Sequence, residues 1–304
     1  MPRLSVTEAL IKNSGLTKKL LKKGKNIMMK TFLKGLAGIL LPPLAAWIAS
    51  GYGKPVITIG VLIIGYLISA IFFRATVLMF IGARVYGKNR RRGLTVFGWA
   101  YKTRKLHPNH QLLYGYILLR NGKLDDAENV INKALVLGKH VLKDADIKAS
   151  EFNRALITWK RGDLNAAIVE LENLYEEGYK TSGLYDSLAS LYLLNKEYEE
   201  AAKIAAEGVE YSEKDLVSRD NLGQAYIELG RIDEAEKIYE ELIPQNPQFL
   251  EAYYNYATIL ERRGEMADAR KYYGIALTIE EKFLSIISHD QVCEALDRVN
   301  ELMI

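Results

Sequence analysis

Apolar residues between positions 108 and 283 recur every three or four residues, in runs that come in pairs. This period is typical of helices that bury one face. A short polar turn separates the two runs of a pair, and its glycine tolerates the left-handed backbone at a helix end. Acidic residues soon after the turn favour the start of the next helix. The pattern predicts helical hairpins joined by turns such as Asn121-Gly122-Lys123, Arg161-Gly162-Asp163 and Leu229-Gly230-Arg231.

The second run of each pair contains an alanine, and these alanines are regularly spaced. Four of them follow one another at one constant interval, and a fifth precedes the first of the four by a longer interval: Ala167, Ala201, Ala235, Ala269 and Ala127. A fixed period of about 34 residues is typical of stacked repeats, in which each unit buries its apolar face against its neighbours. We therefore expect an all-α solenoid of about five helix-turn-helix repeats over residues 108–283.

The unit that begins near Leu222 shows the repeat most fully, with these marker residues: Leu222, Gly223, Tyr226, Gly230, Ala235, Tyr239, Leu242 and Pro247. This unit resembles the tetratricopeptide repeat, in which Leu-Gly, Tyr, Ala, Phe and Pro recur over about 34 residues. Neighbouring units have Ala189 and Ala257 at small-residue positions that let two helices approach closely. The resemblance implies a binding scaffold built from helical hairpins.

The first interval is longer than the others and indicates about six extra residues. We expect them in the stretch 137–146, because insertions in repeat arrays map to loops. After the last hairpin, apolar residues at helical spacing predict a C-terminal capping helix within residues 284–304: Val292, Leu296, Val299 and Leu302.

Two apolar stretches precede the repeats. The first covers residues 32–50 and contains Pro42-Pro43, and the second covers residues 56–74 with no charge in its first 18 positions. Eighteen helical residues span about 27 Å, close to the roughly 30 Å hydrocarbon core of a bilayer. We expect residues 31–83 to form a transmembrane helical hairpin, with a re-entrant or interfacial hairpin as the alternative.

Charge divides the chain into two parts. Residues 1–105 contain 19 Lys and Arg but one acidic residue, Glu8, whereas the remainder contains 22 basic and 36 acidic residues. Basic residues flank the apolar hairpin on both sides, and only Lys54 lies in its turn. By the positive-inside rule, both termini lie in the cytoplasm. This predicts a cell-membrane protein with two spans and cytoplasmic repeats.

Two basic segments adjoin the predicted hairpin. Residues 1–30 alternate leucines with lysines, and residues 84–107 combine eight basic residues with four aromatic ones: Tyr86, Phe97, Trp99 and Tyr101. We expect both segments to contact anionic membrane lipids. Residues 94–106 also fit a helix that caps the first repeat. A nucleic-acid patch is the alternative that we rank lower, because a membrane stretch lies next to it.

Candidate chemistry is sparse in this sequence. No catalytic constellation, phosphate-binding loop or dinucleotide motif is present, so we expect neither enzyme activity nor a cofactor. His107 and His110 are three residues apart, but Pro108 marks a helix start between them and no third ligand is apparent, so we assign no metal site. Cys293 is the only cysteine, and we expect it to pack in the final helix.

In tetratricopeptide arrays the first helix of each pair lines a concave groove that holds partner segments. The resemblance assigns backbone binding to Asn153, Asn221 and Asn255, because a side-chain amide both donates and accepts. That these asparagines only bridge adjacent helices is the open alternative. Neighbouring first-helix positions complete the expected partner-binding set: Phe152, Trp159, Asp186, Asp220, Gln224 and Tyr254. The two aspartates predict an acidic groove and therefore a neutral or basic partner segment.

Together these features predict a membrane-anchored scaffold or adaptor that binds a partner protein or extended peptide in its groove, on the cytoplasmic side. The alternative is a lipid- or nucleic-acid-associated factor that acts through the basic N-terminal third.

Overall fold

A computed structural model of the protein describes residues 74–304, and every regular element in this range is a helix. Thirteen α-helices and one short 3-10 helix, Ile243–Gln245, occupy this part of the chain. The α-helices are α1 (Arg74–Tyr86), α2 (Arg90–Lys102), α3 (Pro108–Arg120), α4 (Leu124–Gly138), α5 (Asp144–Lys160), α6 (Leu164–Glu176), α7 (Ser182–Leu194), α8 (Tyr198–Tyr211), α9 (Leu216–Glu228), α10 (Ile232–Leu242), α11 (Leu250–Arg263), α12 (Met266–Leu277) and α13 (His289–Leu302).

The predicted amphipathic segment 1–30 and the predicted spans over 32–50 and 56–73 lie outside the described residues. Within residues 74–304, no helix has both the length and the apolar character needed to cross a membrane. Residues 74–83, expected at the end of the membrane domain, belong to α1, a helix of 13 residues.

The described chain divides into two compact units, one of residues 74–117 with 129–142 and the other of residues 118–128 with 143–304. In the first unit, an aromatic chain links the helices. The ring centroids of Tyr86 and Phe97 lie 6.0 Å apart, those of Phe97 and Tyr114 6.3 Å, and those of Tyr101 and Tyr114 5.6 Å. Three of the four aromatic residues expected at a lipid surface therefore take part in packing within the unit.

The second unit consists of helical hairpins in which α5 pairs with α6, α7 with α8, α9 with α10, and α11 with α12. The regularly spaced alanines all lie in second helices, at positions with no exposed surface. The predicted turn glycines Gly122, Gly162 and Gly230 have positive φ angles of 71°, 104° and 75°. The helical-hairpin prediction is thus confirmed.

The six extra residues of the first interval lie in helices and not in a loop. Helices α4 and α5 have 15 and 17 residues, whereas α6 and α7 have 13 each. The connections 139–143 and 177–181 have the same length. The predicted junction, near residues 137–146, is therefore correct. The prediction that the extra residues form a loop was wrong, because they lengthen the helices on either side.

Helix α13 is the predicted capping helix. It begins after Ser288, whose side chain caps the helix together with Gln291, and it buries Val292, Ala295 and Val299 in the core formed with α11 and α12. Cys293 is exposed, so the expectation that it packs was wrong. The reason is the helical period, since position 293 is turned about 100° away from the buried row that begins at 292.

The hairpin α9–α10 is held by close contact at one glycine. A Cβ atom on Gly223 would lie 2.6 Å from Cε2 and 3.1 Å from the hydroxyl of Tyr239, which is fully buried. The absence of a side chain at Gly223 therefore lets the tyrosine ring fit between the two helices, as the small-residue pattern predicted.

We expect Gly223→Ala to lower the free energy of unfolding by about 1–3 kcal/mol, because the added methyl group overpacks against the Tyr239 ring. Gly274→Ala is the matched control, since a Cβ atom there has no neighbour within 4 Å. That change should stabilise α12 by about 0.5–1 kcal/mol through helix propensity. Urea unfolding of both variants measures the difference, and equal effects would contradict this packing argument.

Candidate functional site

Two of the predicted asparagines connect neighbouring repeats. Asn221 on α9 donates from Nδ2 to the backbone oxygen of Asp186 on α7 at 2.9 Å, and its Oδ1 accepts from the hydroxyl of Ser190 at 3.2 Å. Asn255 on α11 donates from Nδ2 to Oδ1 of Asp220 on α9 at 3.1 Å. Both asparagines are 2% exposed. They make the bridging contacts of the alternative interpretation, and binding of a partner by them stays a prediction.

A buried carboxyl group connects these contacts to the hairpin packing. Oδ1 of Asp220 accepts from the Tyr239 hydroxyl at 2.9 Å as well as from Asn255, and the residue is 2% exposed. Oδ1 of Asp186 accepts in the same way from the hydroxyl of Ser218 at 2.6 Å. Each aspartate of the predicted site thus joins its own repeat to the next one.

The surroundings of the two aspartates disfavour the negative charge on which the expected acidic groove depends. Burial raises the pKa of Asp220 to about 7, with Glu251 adding to the rise and the bonds from Asn255 and Tyr239 opposing it. Burial also raises the pKa of Asp186 well above its usual value, with a contribution from Asp215. Desolvation disfavours the charged form of a carboxyl group. Burial therefore lowers the negative charge that these two side chains carry near neutral pH.

A groove of about 620 Å³ lies between the first helices α7, α9 and α11 on one side and α13 on the other. This volume lies within the range of natural ligand sites, roughly 300–1,000 Å³. Three predicted residues line the groove, namely Gln224, Tyr254 and Asn255. The apolar part of its lining comes from these side chains: Leu193, Leu194, Ile227, Met266, Ile286, Ile287 and Leu302.

The charged lining of the groove is mixed. Arg298 on α13 donates to Glu261 on α11 at 2.7 and 2.9 Å, and the Tyr273 hydroxyl donates to the same carboxylate at 2.8 Å. Arg262 donates to the backbone oxygen of Ile227 at 2.7 Å. The remaining charged residues of the lining are Lys196 and Glu228. The groove lining therefore carries charges of both signs.

Three predicted site residues lie on α5, outside this groove. Phe152 is buried with its ring 6.4 Å from that of Tyr179. Asn153 is 7% exposed, and its Oδ1 is among the buried polar atoms of the described residues that have no hydrogen-bond partner. Trp159 is partly exposed, and the ammonium group of Lys160 lies 3.8 Å from its ring centroid.

A non-helical segment between α12 and α13 reaches Lys160 at the end of α5. We call residues 279–288 the strap. Lys160 donates from Nζ to the strap's Ser285 oxygen at 3.4 Å and lies 5.3 Å from the centroid of the Phe283 ring. Burial lowers the pKa of Lys160, while the carboxylates of Glu281 and Glu251 oppose the shift. The repeat period does not extend into the strap, so no sequence signal marked it.

Histidine geometry gives no indication of a metal centre. His110 is 8% exposed and burial lowers its pKa to about 4, with a further contribution from His107. Within residues 74–304, no group of three or more His, Cys, Asp or Glu side chains is placed to hold a metal ion.

Two segments of the chain, residues 80–140 and 221–280, match the family model of the tetratricopeptide repeat. These two segments, which together make up less than half of the chain, have the pattern of tetratricopeptide repeats. The first match begins within α1, ahead of residue 108, where the alanine period indicated the first repeat.

Known proteins agree with this assignment. Over 149 residues, or 49% of its length, the chain is 28% identical to a TPR repeat-containing protein of Methanocaldococcus jannaschii, and it spans about a quarter of that relative. A tetratricopeptide repeat protein from Parabacteroides merdae is 12% identical and superimposes with a TM-score of 0.57, over 88% of this chain and 99% of that one. PilF from Pseudomonas aeruginosa is 16% identical with a TM-score of 0.50, over 65% and 84%. These structures show the fold.

We expect Asp220→Asn to change how stability depends on pH. Between about pH 4 and pH 7 the folded protein retains a proton on Asp220 that the unfolded chain releases, so the native chain loses stability as pH rises through this window. The asparagine has no proton to lose. As pH rises through this window, the free energy of unfolding of Asp220→Asn should therefore increase relative to that of the native chain, by at most about 1.4 kcal/mol per pH unit.

Urea unfolding at pH 4.5, 6 and 7.5 measures this gain. Asp268→Asn on the exposed face of α12 is the control for loss of a surface carboxylate. A difference between the native chain and Asp220→Asn that stays constant across the three pH values would contradict the assignment.

Proposed function

We propose that this protein is a membrane-tethered scaffold whose groove binds an extended segment of a partner protein. Tetratricopeptide arrays are helical scaffolds suited to protein–protein interaction. The observation that carries the proposal is the groove itself, because three successive first helices and α13 enclose it and leave polar and apolar side chains exposed together. Its action is binding and local concentration of the partner, without turnover.

Gln224 is well placed to hold the backbone of such a segment. It is partly exposed in the groove, whereas Asn221 and Asn255 are buried in contacts between repeats. Its side-chain amide both donates and accepts, so it can pair with a peptide unit of any sequence. Tyr254 and Leu194 lie on the same lining and offer apolar surface to the side chains of the segment.

Two features support tethering to a membrane. The first is the uncharged stretch 56–73, with basic residues on both sides. The second is the outer face of α2, where Arg91, Thr95, Trp99 and Lys102 are exposed and Trp99 retains 55% of its surface. Cations beside an exposed aromatic ring suit the headgroup region of an anionic bilayer. In this arrangement the predicted spans 32–50 and 56–73 hold the chain at the cytoplasmic face and the repeats present the groove.

A photoreactive amino acid at Gln224 should crosslink one discrete partner, and the same residue at Lys237, on the exposed face of second helix α10, should not. Leu194→Arg should weaken partner binding at least about tenfold, which is 1.4 kcal/mol, because it places a charge in the apolar lining. Val169→Arg, at a more exposed position on α6, is its control. Equal crosslinking at both positions would count against the groove.

The exposed Cys293 reports the side of the membrane on which the repeats lie, because it is the only cysteine. A membrane-impermeant maleimide should label it in inverted vesicles and not in right-side-out vesicles. A chain with Gly53→Cys and Cys293→Ser should label in the opposite way, because position 53 lies in the predicted turn. Extraction of the full chain by alkaline carbonate, or reversed labelling, would contradict the tether or its orientation.

A further inference from the structure

The connection that contains the strap is longer than the connections between repeats, and it contacts a helix far away in the sequence. It lies within the 11 residues between α12 and α13, whereas the repeats are joined by connections of about five. Lys282 donates from Nζ to the backbone oxygen of Gln248 at 2.8 Å, and Ser285 accepts from Lys160, which is 125 positions away in sequence. The strap therefore reaches back from the last repeat to α5.

Phe283 is the side chain through which the strap meets the earlier repeats. Its ring lies against Gly122 in the α3–α4 turn, where a Cβ atom would come within 3.2 Å of two ring carbons. The ammonium group of Lys160 lies 5.3 Å from the centroid of the Phe283 ring and 3.8 Å from the centroid of the Trp159 ring. We call Gly122, Trp159 and Lys160 the aromatic seat.

Two apolar side chains of the strap are buried to different extents. Ile287 is 7% exposed and belongs to the core that α13 forms with α11 and α12. Phe283 keeps 37% of its surface exposed even when it is seated. Because the hydrophobic contribution scales with buried apolar area, Phe283 is held less completely than Ile287. The more exposed Phe283 is therefore the strap contact that a competing side chain can replace, while Ile287 anchors the strap to the core of α13.

We propose that the strap is an internal ligand, and that a partner segment with an aromatic side chain displaces Phe283 from the aromatic seat. This rests on the proposed function, in which the array binds an extended segment. Gly122 allows an aromatic ring to approach closely, and the ammonium group of Lys160 attracts such a ring through a cation–π interaction. Both contacts favour an aromatic side chain over an aliphatic one. Displacement of the strap also removes the carboxylate of Glu281 from the neighbourhood of Lys160. An acidic residue near the aromatic residue of the partner segment would replace this favourable charge interaction.

The test uses a fluorescein-labelled peptide with the sequence of residues 279–288, added to the full chain. Phe283→Ala empties the seat and should bind this peptide about tenfold more tightly than the native chain, because the competing internal segment no longer reduces the binding-competent fraction. Adding Lys160→Ala to Phe283→Ala should abolish binding, because Lys160 meets both Phe283 and Ser285 of the strap. A peptide with alanine in place of its phenylalanine should not bind either chain.

Tyr211→Ala is the matched control, since it removes an aromatic ring of similar exposure on α8, and it should behave as the native chain. Lys282→Ala is a second way to loosen the strap, through its bond to Gln248, and should also increase peptide binding if Phe283→Ala perturbs the fold. Circular dichroism establishes folding for each chain.

Equal peptide affinity for the native chain and Phe283→Ala, or no binding to the emptied seat, would overturn the proposal. Either result would leave the proposed function intact if Gln224 still crosslinks its partner. Tighter peptide binding by Phe283→Ala without any crosslink at Gln224 would support the internal-ligand proposal and contradict the proposed function, because the seat would bind aromatic segments although the groove has no partner.

Discussion

Close approach of paired helices at positions with little or no side chain is the constraint on which the repeat array depends. Gly223 leaves room for the ring of Tyr239, and the hydroxyl of that ring then reaches Asp220 inside the hairpin. A larger residue at 223 would push the ring away and break this bond as well. A small, fully buried alanine lies in each second helix as well, so adjacent helices bury apolar faces that one hairpin alone would expose.

Hydrogen bonds between successive first helices engage side chains that the sequence analysis assigned to partner binding. Asn221 and Asn255 direct their amide groups to the preceding repeat, and Asp186 and Asp220 receive hydrogen bonds there. Satisfied buried polar groups define one arrangement of the helices, because an unpaired group in the same place would be unfavourable. Apart from Asn255, the groove is lined by other side chains, including Gln224, Tyr254 and Arg298.

Helix α13 and the strap have more than a capping role. Through Arg298 and Ile287 they form one wall of the groove, and through Phe283 the strap reaches the α5 surface. The scaffold proposal and the internal-ligand proposal therefore concern neighbouring parts of one surface. Under both proposals, an array attached to a membrane through the predicted spans would concentrate a partner at the bilayer, and a partner segment with an aromatic side chain would also compete with the strap.

Local pattern in the sequence was enough to predict the hairpins, their turns, the constant repeat period and the capping helix, because helix formation and the burial of one face depend on spacing along the chain. Spacing also located the junction that holds the six extra residues. It did not show that these residues lengthen α4 and α5, since helix ends depend on contacts beyond the local turn.

Charge counted along the sequence was a poorer guide, because Asp186 and Asp220 are carboxyl groups whose ionisation is set by burial and by partners in other repeats. Only the tertiary structure decided that Asn221 and Asn255 bridge repeats and that Phe283 meets Lys160. The sequence alone determined a stack of helical hairpins, because that follows from local periodicity. The tertiary structure decided which faces of the stack remain open, because residues more than a hundred positions apart meet there only after folding.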